Sequence, residues 1–204
     1  MNANPLLGNP IELTDFTALE PRHVTPALDT LLAEAEAALE RTGGPDVPAD
    51  YDAMSAALDV ATQKLHHAWG AVSHLNSVAD TPELRAAYNH NLPRVTDFHT
   101  RVASDERLYA KYKAIAASPA AASLSDPRRK ALANALRDFL LAGAELQDEA
   151  KQRFAKIQER TAELSQAFGE HVLDATDRYA WFATTDDLDG VPQDVLDAIR
   201  VDVE

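Results

Sequence analysis

Two stretches of this chain repeat apolar or small residues at alternating steps of three and four, and they restrict the fold more than any other feature. The first passes through Tyr51, Met54, Leu58, Ala61, Leu65, Ala68, Val72, Leu75 and Ala79. The second passes through Ala150, Phe154, Ile157, Thr161, Leu164, Phe168, His171 and Ala175. A seven-residue period of this kind lays one seam of a long α-helix against a partner helix. The chain is therefore expected to be all-α: an antiparallel bundle of about seven helices, two of them long, with an irregular N-terminal arm.

The shorter helices follow from caps and breakers. Pro5, Pro10 and Pro21 interrupt residues 1 to 24, while Leu6, Leu7, Phe16 and Leu19 can pin this arm to a core. Thr25-Pro26 reads as an N-cap with proline at the first helical position. Leu28, Leu31, Leu32, Ala35 and Leu39 share the face that follows, and Gly43-Gly44 ends it. Asp50 caps the first long helix; Gly70 inside it costs about 1 kcal/mol relative to alanine, which close helix packing beside Trp69, or a bend, would explain. Thr81-Pro82 opens a helix to about Val102 with Leu84, Tyr88, Leu92, Val95 and Phe98 inward, and Pro93 should kink it.

A shorter helix carries Leu108, Tyr112 and Ile115, and Ser118 to Pro127 reads as a low-complexity, mobile connector. Asp126-Pro127 opens a helix apolar at Leu132, Leu136, Phe139 and Leu140, ended near Gly143. Past Trp181 the pattern loosens, and a last amphipathic piece carries Val195, Leu196 and Ile199. The domain reading is an arm at 1–24, a helical lobe at 25–180, and a connection beginning at 181–204. The final RVDVE has neither a capping glycine nor a polar tail, so the polypeptide is expected to continue.

Nineteen basic and 33 acidic side chains give a net charge of −14, with no segregated basic patch, which argues against nucleic acid. No apolar run is long enough to cross a bilayer, the N-terminus has no leader pattern and there is no cysteine, so a cytoplasmic location is expected. Seven carboxylates and one arginine lie between Asp186 and Glu204, a solvated acidic end or a docking surface for a basic partner.

Catalytic patterns are missing. HExxH would place two imidazoles one helical turn apart with a glutamate beside them, and no two of the seven histidines stand three to five residues apart. His66 and His67 diverge on a helix; His67 and His74 lie two turns, about 10 Å, apart. Glu20-Pro21-Arg22-His23 spells half of a di-iron motif but contains a proline. His171 is expected as a satisfied core residue on the second seam, and His74 as a buried interhelical hydrogen-bond partner. No serine elbow or glycine-rich phosphate loop exists, and nothing in the sequence would raise the pKa of Asp186 or Asp187. No catalytic, metal-binding or cofactor-binding residue is assigned.

Several ordered motifs go further. They are Asn4-Pro5-Leu6, Phe16 to Ala27 (FTALEPRHVTPA), Trp69 to Val78 (WGAVSHLNSV), Leu84 to Asn89 (LRAAYN) and Leu92-Pro93. Ala135 to Phe139 (ALRDF) with Gly143, Lys151 to Phe154 (KQRF) and Val172 to Thr176 (VLDAT) complete them. In order and spacing the chain resembles the N-terminal third of the oligopeptidase A branch of the thimet oligopeptidase (M3) family of zinc metallopeptidases. His171 departs from the asparagine usual before the last motif. The resemblance implies a non-catalytic helical wall of a channel that admits short peptides. It also implies a zinc-bearing C-terminal catalytic lobe in the same chain, zinc-activated water as nucleophile, and no functional residue within positions 1 to 204. The reading of a different class is a free-standing acidic helical interaction module.

Overall fold

The computed structural model describes residues 4–9 and 12–200. These residues hold seven α-helices, and no strand occurs among them: α1 (Pro21–Gly43), α2 (Tyr51–Val78), α3 (Pro82–Ala103), α4 (Glu106–Ala117), α5 (Asp126–Leu141), α6 (Asp148–Arg178) and α7 (Gln193–Ile199). The chain divides into two compact units, Met1–Gly169 and Glu170–Glu204.

In the first unit α1 lies at the centre, packed on α2 and α3 and touching α4, while α4 packs on α5. Its buried side chains, Val24, Ala27, Leu28, Leu31, Leu32, Ala35, Ala38, Leu39 and Thr42, face more than one neighbour, so the stripe is wide. The α2 seam is buried as its period requires at Met54, Leu58, Leu65, Ala68 and Val72, with Asn76 extending it. Asp50 accepts from the Ala53 N–H at 2.9 Å and Thr81 from the Leu84 N–H at 3.2 Å, the two caps the sequence announces.

The start of α1 differs from expectation. The helix begins at Pro21, with Glu20 as N-cap, and Pro26 lies inside it. Pro21 takes the first helical position, where a missing N–H costs nothing, and His23 Nδ1 accepts from the Glu20 N–H at 3.1 Å. The letters that resembled half a di-iron site cap a helix instead. Thr25, freed from capping, presents its hydroxyl to Asn91 of α3.

Of the apolar side chains read as pins in the preceding arm, Leu6 and Leu19 pack on the core, while Leu7 and Phe16 are each 43% exposed. Pro5–Leu7 forms a 3-10 turn that buries Leu6, and Asn4 Nδ2 donates to the His23 carbonyl at 2.8 Å. Thr14 Oγ1 lies 3.0 Å from His67 Nε2, and Phe16 meets the His74 ring edge-on at 5.6 Å. His74 is thus an exposed ring under the arm, not a buried link between helices.

Two further expectations, for Gly70 and Leu140, are corrected. Gly70 is exposed and a Cβ there would meet nothing within 4 Å, so close helix packing does not account for it. Trp69 stacks on Tyr88 of α3 instead, ring centroids 4.5 Å apart. Within the connector, residues Pro119–Ser123 form a 3-10 turn. Leu140 faces solvent while Phe139 is buried against Tyr109 and Tyr112. Helix α3 passes through Pro93 without ending.

Helix α5 ends as expected at Gly143, whose φ of +86° is easily reached only by a residue lacking Cβ. The Ala144 N–H reaches back to the Phe139 carbonyl at 2.9 Å and the Gly143 N–H to that of Leu140 at 3.1 Å, a Schellman closure. Helix α6 follows, but none of its residues is buried. Its heptad seam is expected to join the bundle core, which it does not; its first turns meet the rest of the unit through Phe154 and through Lys151, which pairs with Glu106 at 2.7 Å.

In the second unit Trp181 and Phe182 are 65% and 76% exposed, and Leu188 is half-buried. Asp187 accepts from the Thr184 N–H and hydroxyl, which hold its carboxyl below the ordinary value. His171 is exposed, not a satisfied core residue.

Candidate functional site

Two features of the first unit have the character of a binding surface. The first is a cleft of about 460 Å3 bounded by α3, α5 and α6. Ala103, Leu141, Ala142 and Phe154 supply its apolar lining, and His99, Asp138 and Gln158 its polar groups. The residue pattern of α3 explains His99: Val95 and Phe98 point to the core, so the next position turns away along the helix edge. Burial pushes the His99 imidazole below its ordinary value, and His66 on α2 acts in the same direction. The ring is therefore a neutral donor and acceptor at pH 7, although the residue keeps an exposed edge.

Asp138 is engaged by its neighbour Arg137, whose Nε and Nη2 donate at 2.8 and 2.6 Å. The Thr100 hydroxyl donates to the Thr96 carbonyl at 2.8 Å. This is a binding arrangement with a neutral imidazole and an amide at its edge; it pairs no nucleophile with a base.

The second feature continues from Phe154 along α6. Ile157, Leu164 and Phe168 repeat at heptad spacing and are 50%, 53% and 70% exposed. Arg153, Lys156 and Arg160 run beside them at steps of three and four. Sequence periodicity identified this seam but not its exposure. His99 carried no motif, and its depressed basicity arises from three-dimensional neighbours.

The weighed histidines do not converge. His23 caps α1, His67 faces Thr14, His74 lies under Phe16 and His171 belongs to the second unit. Among the described residues no three His, Cys, Asp or Glu side chains are grouped to hold a metal ion. No helix is long and apolar enough to cross a membrane among those residues.

Other polar residues build the scaffold. Asn91, fully buried, donates from Nδ2 to Thr25 Oγ1 at 2.9 Å and to the Ala87 carbonyl at 2.8 Å, and its Oδ1 accepts from Arg94. Asp80 pairs with Arg85 beyond the end of α2. Lys111, which sequence reasoning passed over, donates to the carbonyls of Thr42, Gly44 and Val47, each at 2.5 Å.

Comparison with known proteins gives this scaffold a family. Residues 28–151 match the family described as Neurolysin/Thimet oligopeptidase, N-terminal domain. Oligopeptidase A of Salmonella typhimurium is 36% identical over 202 residues, covering 98% of this chain and 30% of that protein; the Escherichia coli protein gives the same figures. Probable cytosolic oligopeptidase A of Arabidopsis thaliana is 32% identical over 197 residues, 96% of this chain and 28% of its own. The chain thus spans about 30% of the length of the bacterial relatives it matches. With an all-helical scaffold matched over residues 28–151, the chain belongs to the neurolysin/thimet oligopeptidase N-terminal domain family.

Proposed function

We propose that this chain is the N-terminal, non-catalytic helical lobe of a cytoplasmic zinc oligopeptidase, a metalloendopeptidase that hydrolyses short peptides, and that it forms one wall of the substrate channel. The observation that carries this reading is the match of residues 28–151 to an N-terminal domain, joined to 36% identity over 98% of the chain with proteins about three times as long. A cysteine-free sequence suits a reducing compartment, and one relative is named as probably cytosolic. Within this reading residues 1–24 are the arm, 25–180 the lobe and 181–204 the start of the connection to the catalytic part.

The described residues do not fit a zinc site, since no three His, Cys, Asp or Glu side chains among them are grouped to hold a metal ion. The metal and its chemistry belong to the C-terminal catalytic lobe of the same polypeptide. Their contribution is selection: a rigid wall limits a recessed site to short, extended peptides.

The test compares the natural reading-frame product with the 204-residue chain on a quenched fluorescent short peptide. The full product should cleave it and lose activity to a zinc chelator, while the chain alone should not. Hydrolysis by the metal-stripped, contaminant-free 204-residue chain would overturn the assignment.

A further inference from the structure

We propose that the α6 face from Phe154 to Phe168 is the seat of an amphipathic helix of the same polypeptide, contributed from beyond residue 204 and bearing an apolar heptad seam edged by carboxylates. The inference rests on the reading that this chain is one lobe of a longer peptidase and adds where, and through what chemistry, the remainder docks.

Three observations identify the occupant. Phe154, Ile157, Thr161, Leu164 and Phe168 keep the alternating three-four step, and Ile157, Leu164 and Phe168 are at least half exposed. A stripe of that period matches the ridges of another helix crossing at about 20°, not a strand or an irregular loop. A helix of this length draws most of its stability from a packed apolar face, and here that face is uncovered beyond the first turns.

The flank is charged in one sense. Arg153, Lys156 and Arg160 form a strip along one edge of the seam. Arg160 pairs with Glu163 on its own helix, whereas Arg153 and Lys156 have no acidic partner among the described residues. These two exposed cations border the apolar seam and are open to carboxylates of a docking segment. The length of chain that could supply them is large, since the bacterial relatives extend over more than three times the matched span.

The chain's freedom from cysteine provides a clean probe. Leu164→Cys on the seam and Glu159→Cys on the opposite side of the helix are each placed in the 204-residue chain and in the natural full-length product. Thiol labelling at these positions is read by peptide mass spectrometry, with helical content checked by circular dichroism. Labelling at position 164 should slow by at least about tenfold in the full-length protein while position 159 is unchanged. Carbodiimide treatment of the full-length protein should join Lys156 to an aspartate or glutamate beyond residue 204.

Equal labelling at position 164 in both proteins would overturn the docking site, even if the full-length enzyme cleaves peptides and the functional reading stands. Protection already present in the short chain, together with a dimer on gel filtration, would assign the face to a second copy and overturn it as well. Cross-links from Lys156 confined to residues 1–204 would remove the carboxylate-edged partner. A reading frame that ends at Glu204 would remove the lobe assignment and this inference together.

Discussion

Asn91 Nδ2 donates to Thr25 Oγ1 at 2.9 Å, tying the fully buried middle of α3 to the first turns of α1. The same amide closes on the Ala87 carbonyl, and its oxygen takes Arg94 Nη1 at 2.8 Å, while Arg94 Nη2 reaches Asp29 Oδ1 at 2.6 Å. One side chain thus satisfies polar groups of both helices in a place water does not reach. Asn91→Leu keeps the volume but strands these partners, and should cost about 2 kcal/mol. The midpoint of urea unfolding, read by circular dichroism, measures it; an unchanged midpoint would mean the network contributes nothing net.

The Lys111 ammonium collects three carbonyls at the end of α1 and in the loop after it. Those carbonyls are the unsatisfied end of a helix, where a cation is favoured. Lys111→Met should destabilise the fold by about 2 kcal/mol. Added salt should alter the loss little, because the site is partly buried. Denaturant titrations at low and high ionic strength check both statements.

Glycines in this chain divide by environment. Gly143 has φ +86°, and a Cβ there would lie 2.7 Å from Leu146 Cδ1, so Gly143→Ala should destabilise by about 1–2 kcal/mol. At Gly70 a Cβ would enter open space inside a regular helix, and Gly70→Ala should stabilise by about 0.5–1 kcal/mol. Thermal unfolding of the two variants of the 204-residue chain should move in opposite directions.

His99 should give the fold a dependence on mild acid. Its folded pKa is depressed, so the unfolded chain takes up the proton near the ordinary imidazole value of 6.5 while the folded chain takes it up only at lower pH. Between those points the unfolded state binds more protons, and stability falls as the pH drops below about 6.5. His99→Gln should reduce the difference in stability between pH 7.5 and pH 5.5. An identical difference in both proteins would remove His99 as its source.

The helical class, most helix boundaries and the α2 seam were legible in the sequence because they depend on local chemistry: period, caps and breakers. Asp50, Thr81 and Gly143 act where their residue types predict. At the head of α1 the local signal misled: Pro21, read as a breaker, takes the first helical position, with Glu20 as N-cap and the Glu20 N–H donating to His23 Nδ1. Family membership was legible too, since ordered motifs survive as text whatever they pack against.

Only the tertiary structure decided which apolar faces are covered. The seams of α2 and α6 follow the same period, yet α2 is buried against α1 and α6 is not. Periodicity states that a face needs a partner and is silent on whether one is near, since burial depends on residues distant in sequence. For the same reason His74 and His171 proved exposed, and His99 acquired its depressed basicity from its surroundings in the fold and from His66, 33 positions away in the chain.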